Sequence, residues 1–364
     1  MGRTILHKYW SFKHSTAFFY QFVVAVIACL GLLSLAACQP QTTPLPTVSQ
    51  PFETMPAIST ATADLATFTP ITPLTSTGTP PTSENTPSPA GELTSSPVPT
   101  AFPAGFWQDL PVIPESISDR AREIYRKGIA MGNNPHIFTK LGDCNSKSPD
   151  FLHGFGGMYD LGEFAYLQPA IDYWQDSFRL PNQATNPGTT TSRLLVTLWT
   201  NDQCQSDEIM LDCQYRLDNP GIVLIALGTI DAKYHHLDPL AFEKNLRVII
   251  ESSIERGILP VLGTKADNIE DDHSINETIA RLAIEYELPL WNYWKAVQPA
   301  VNHGLLPDME HLNSWSGPPA TDFSLPIAMD YGKEIKNITA LQMLNFLMEQ
   351  LADPSLTVTP TEAP

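Results

Sequence analysis

Positive charge is scarce in this chain: 21 Lys and Arg stand against 39 Asp and Glu over 364 residues, a formal net charge of −18. A surface this acidic repels phosphate. Nucleic acid is therefore excluded as a partner, and no polybasic stretch offers electrostatic contact with a membrane. Cysteine is scarce as well, five in all, and there is no internal repeat. No His or Cys is spaced to complete a metal-ligand set. His235 and His236, beside Asp231 and Asp238, would point to opposite faces of an extended chain, so they read as a solvated loop. Neither a metal nor another cofactor is expected.

What the chain does have begins at its N-terminus. Residues 1–37 carry Arg3, Lys8 and Lys13, no acid, and an apolar run from Phe18 to Leu35, the pattern of a signal peptide. The run ends Leu35, Ala36, Ala37, Cys38, which resembles the bacterial lipobox. That resemblance implies lipidation of Cys38 and an extracytoplasmic protein held to the membrane by lipid alone. Residues 39–104 contain no Lys, Arg or Cys and are dominated by Thr, Pro, Ser and Ala. Such a segment buries too little apolar surface to offset its ordering entropy, so 38–104 is expected to be an extended tether and 352–364 a frayed tail.

The folded region is then 105–351, where strand and helix signals alternate. Ser116 to Met131 has amphipathic spacing, with Ser116 and Asp119 as a capping pair and Gly132 as the stop. His136 to Leu141 reads as a strand, and the continuous apolar run Gly221 to Leu227 as a strand covered on both faces. A helix from Phe242 to Arg256 closed by Gly257, a strand from Leu259 to Leu262, and a helix from Ser274 to Tyr286 opened by a Ser274–Glu277 capping box come next. Leu288 to Trp291 is a fourth strand and Thr339 to Leu351 a last helix. The alternation predicts an α/β fold, a three-layer α/β/α sandwich with a mostly parallel sheet, and ligand sites at the carboxyl ends of its strands.

Three candidate features fall at such ends: Gly142, Asp143 and Cys144; Gly228, Thr229, Ile230 and Asp231; and Asp308 with His311. A carboxylate three positions before an imidazole can fix its tautomer and stabilise the imidazolium formed in reaction. In this order the blocks resemble the SGNH hydrolases, the GDSL esterases and lipases, over essentially the whole folded region. The resemblance implies a flavodoxin-like sheet and an ester or acyl hydrolase acting on a small-molecule or glycan ester. It assigns Cys144 as nucleophile where the family has Ser, His311 as base, Asp308 as its orienter, and the backbone amides of Cys144 and Gly188 to the oxyanion. Gly156, Gly157 and Gly162 are alternatives to Gly188. At Ile230 the family's oxyanion Asn is missing, and a lost donor of that kind costs about 2.7–4 kcal/mol of transition-state stabilisation. The runner-up reading is therefore a catalytically silent glycan- or envelope-binding module.

Cysteine pairing bears on the nucleophile. Cys204 and Cys213 close a short loop, so a disulfide between them leaves Cys144 free in an oxidising compartment. Ser146 reads as a turn residue, and Trp291, Tyr293 and Trp294 read as core ahead of a pocket wall.

Overall fold

In the computed structural model, residues 102–147, 149–197 and 203–352 are described. The signal segment, Cys38, the tether as far as residue 101 and residues 353–364 lie outside them. Four strands, β1 (Asn134–Gly142), β2 (Pro220–Ala226), β3 (Leu259–Gly263) and β4 (Leu290–Trp291), pair in the order β1-β2-β3-β4, every pair parallel. Residues 222 to 225 of β2 are all buried although successive side chains point to opposite faces, so the sheet is covered on both sides. On one face Ile225 and Leu262 share an apolar space with Phe242, Leu246 and Ile279 of the helices Ala241–Glu255 and Ser274–Glu285. On the other, Phe138 meets Trp174 edge-on at 5.9 Å, and Trp174 Nε1 donates to the Leu344 carbonyl (3.3 Å) in the helix Gly332–Leu351. This is the expected α/β sandwich.

On the other side of β1, Thr185 forms an isolated parallel bridge to Gly142, with Gly142 N–H donating to the Ala184 carbonyl at 3.0 Å. The chain thus leaves β1 toward one side, returns, and continues as β2 on the other. That reversal makes the carboxyl ends of β1 and β2 the switch point where α/β sheets open a crevice.

Several boundaries differ from the sequence reading for identifiable reasons. The first helix is Asp119–Met131, and its cap is Ser118, not Ser116: Ser118 accepts from Ala121 N–H (2.9 Å) and donates to the Glu287 carbonyl (2.7 Å). Gly132 ends it at φ 99°, as expected. No capping box forms at Ser274, which is already the first helical residue; its hydroxyl meets His235 Nε2 (3.1 Å) and Asp272 Oδ1 takes its amide (2.9 Å). The last helix starts at Gly332, seven residues before Thr339. Its first turns carry buried Glu334, Lys336 and Asn337, polar groups that hide helical periodicity from a hydrophobicity pattern. Trp291 and Tyr293 are buried and Trp294 is half-buried against the core: Trp291 stacks on Phe151 at 6.0 Å, Tyr293 Oη donates to the Gly332 carbonyl (2.9 Å), and Trp294 packs edge-on against Trp107 at 4.7 Å. Among the described residues no helix is long and apolar enough to cross a membrane.

Candidate active site

At Gly142 strand β1 gives way to the short turn Cys144–Ser146. Buried Asp143 caps it by accepting the Asn145 amide on Oδ1 at 3.0 Å. Ser146 folds underneath and donates to the Ala226 carbonyl at the end of β2 (3.3 Å). A Cβ at position 142 would strike the Ser146 side chain, so only glycine allows this approach. The turn leaves Cys144 partly exposed and Ser146 fully buried, so Ser146 is structural.

Asp308 and His311 sit on a loop closed by the buried pair Leu305 and Leu312, which bridge antiparallel. The loop is not a helical turn. Asp308 Oδ1 accepts the backbone amides of Glu310 and His311, both at 3.0 Å, while Oδ2 meets His311 Nδ1 at 2.8 Å. Met309 takes φ 58°, letting the chain reverse within those residues. These hydrogen bonds, that from the His311 ring foremost, hold the Asp308 carboxyl down at about 2. With a carboxylate on Nδ1, the proton belongs there and Nε2 is left as the base.

The two loops are latched by Asn145. Its Nδ2 donates to the Glu310 carbonyl (3.0 Å) and its Oδ1 accepts the Leu312 amide (3.1 Å), across 165 and 167 residues of sequence. The latch brings Cys144 Sγ, a His311 ring nitrogen and a Glu310 carboxylate oxygen within 4.8 Å of one another. No hydrogen bond joins sulfur and ring. Burial, then the charges of Asp143 and Glu310, push the Cys144 thiol up to about 11, with Lys336 opposing.

Lys336 was invisible to sequence reasoning. From the last helix its buried ammonium donates to the Asn145 carbonyl and Ser146 Oγ, both at 2.9 Å, and lies 4.9 Å from the centre of the Phe151 ring. Burial lowers it to about 8 and raises neighbouring Asp143 to about 6. A buried cation thus clamps the turn that carries the thiol.

The β2 block contributes differently from its resemblance. Gly228, at φ 126°, turns the chain into the short helix Thr229–Ala232. Ile230 is buried and has no donor to offer. Asp231 is buried too: its carboxylate takes the Thr191 hydroxyl at 2.6 Å and the Thr191 amide at 3.0 Å, and burial raises its pKa. It thereby fixes the segment that follows Gly188. Gly188 lies three residues beyond Thr185, exposed and at φ 79°. Gly156 and Gly157 lie against the Arg179 side chain, and Gly162 against the Phe323 carbonyl. Lys233 Nζ pairs with Glu310 Oε1 at 2.6 Å, tying this block to the histidine loop.

Next to Asp231 is a hollow of about 180 Å³ with a mixed lining that includes Thr190, Ser192, Tyr234, His235, Phe242 and Asn245. His235 and His236 lie in a turn and not on an extended chain, and His235 Nδ1 is buried there without a partner. Cys204 and Cys213 are bridged, with Cα atoms 5.3 Å apart, and Cys144 is free.

No family model matches the chain, and no curated protein does. Among solved structures it is similar to a GDSL-like lipase from Bacteroides thetaiotaomicron at 15% identity and a TM-score of 0.35, over 62% of this chain and 98% of that one.

Proposed function

We propose that this protein is a weak or re-tuned ester or acyl hydrolase, working outside the cytoplasm on O-acylated carbohydrate or lipid and tethered by a lipid on Cys38. The observation that carries the reading is the Asp308–His311–Cys144 constellation at the switch point of the sheet, with Nδ1 bound to a carboxylate and a ring nitrogen within 4.8 Å of the sulfur. Attack of Sγ on the acyl carbonyl sends the thiol proton to His311 Nε2. The imidazolium then protonates the departing alkoxide and leaves an acyl-thioester, which water hydrolyses with Nε2 again as base. Asp308 stabilises the imidazolium in both halves. The hollow beside Asp231, rich in hydroxyl, amide and imidazole groups, suits a hydroxyl-bearing substrate.

Two features argue for slow turnover: a thiol held near 11 is seldom ionised at neutral pH, and Ile230 supplies no oxyanion donor. The same two favour the second reading, a silent module that binds glycan or envelope material in this cleft. Hydrolysis of short acyl esters by the purified domain, wild type beside His311→Ala, decides between them. The hydrolase reading expects a rate above background that falls about 100-fold or more in the variant. Equal rates in both proteins leave the binding module.

A further inference from the structure

We propose that Cys144, His311 and Glu310 form a site for a thiophilic divalent cation, zinc by its ligand chemistry, which caps the thiol reversibly. The sequence hides this set because residue 144 is far from 310 and 311, and only the Asn145 latch brings them together. Sulfur, imidazole and carboxylate are the three ligand types zinc takes, and all three are partly exposed here, leaving a fourth position for water. Ligand atoms around a tetrahedral zinc lie roughly 3.3 to 3.6 Å apart, from bond lengths of about 2.0–2.3 Å. His311 Nε2 and Glu310 Oε1 are already 3.9 Å apart, and no pair in the set exceeds 4.8 Å. Side-chain rotation closes that difference. The oxygen near His311 Nε2 is the Oε1 that Lys233 holds, so the metal either displaces the Lys233 ammonium from it or takes the second carboxylate oxygen after the side chain rotates.

The hydrogen bond that orients the base serves a metal equally: His311 Nδ1 is held by the Asp308 carboxylate, the outer-shell arrangement that fixes an imidazole for a metal on Nε2. The Asp143 and Glu310 carboxylates set negative charge beside the thiol, against the ammonium groups of Lys336 and Lys233. On binding, zinc displaces the Cys144 proton: one Zn–S bond forms, one S–H bond breaks, and one proton goes to solvent. The other close set among the described residues, Cys204, Glu208 and Cys213, lacks this capacity because its thiols are joined.

The test titrates the purified domain with zinc chloride against a chromophoric chelator and follows Cys144 labelling by iodoacetamide. One zinc per chain should bind, block labelling, and be removed by chelation. Cys144→Ser and His311→Ala should each lower the affinity about 100-fold, and Glu310→Gln and Asp308→Asn about 10-fold, with circular dichroism verifying the fold. Zinc affinity unchanged in Cys144→Ser or His311→Ala, no binding at all, or labelling indifferent to saturating zinc would each overturn the proposal. None of these readouts requires hydrolysis: a domain that binds zinc and cleaves no ester sinks only the hydrolase reading, and one that cleaves esters and ignores zinc sinks only this one.

Discussion

Replacing Asn145 by Ala removes both hydrogen bonds that hold the thiol turn to the histidine loop. Each partly buried hydrogen bond contributes about 0.5–1.5 kcal/mol net, so the pair is worth about 1–3 kcal/mol. For a domain of this size that corresponds to a melting midpoint lowered by about 2 to 12 °C. The effect on chemistry should be larger than the effect on stability, because a displacement of about 1 Å between nucleophile and base costs on the order of 100-fold in rate. Thermal unfolding by circular dichroism and ester hydrolysis well below the midpoint separate the two. Asn145→Asp refines the test: it keeps the acceptor for the Leu312 amide but sets a carboxylate against the Glu310 carbonyl. Its folded-state pKa is then raised above its unfolded value, so its stability should be best in acid and fall as the pH rises through that folded pKa. An unchanged midpoint and rate in Asn145→Ala would refute the latch.

Two other substitutions bear on the proposed function. Ile230→Asn should raise ester hydrolysis, by up to about 100-fold if the new amide reaches the oxyanion, and a rate at or below wild type in a folded variant would count against that position as the missing donor. Cys38→Ala should leave the protein unprocessed or released from the membrane; unchanged processing and unchanged partitioning into detergent would refute the lipid anchor.

The sheet was legible because burial on both faces writes itself as an unbroken apolar run, as in Ile222 to Leu227, and because Gly132 and Gly257 mark helix ends with positive φ. The Asp308–His311 spacing was legible for a related reason: an Asx turn is local, so its partners sit a fixed number of residues apart. What stayed hidden was everything that acts at long range through single hydrogen bonds. Asn145, Lys233 and Lys336 are ordinary polar residues until their partners, 165, 77 and 191 positions away, are known. Buried polar residues also erased the first turns of the last helix, where Glu334 binds Ser314 and Asn337 binds the Asp150 carbonyl.

Lys336 belongs to the last helix of the domain, and its ammonium grips a turn 191 residues earlier in the chain. During synthesis the thiol is therefore made long before its base at position 311 and its clamp at 336 exist. Closing so long a loop is slow compared with forming any single βαβ unit, so the constellation should be among the last contacts to form in folding. A chain cut short between β4 and this helix would hold all four strands and lack the clamp on the thiol turn.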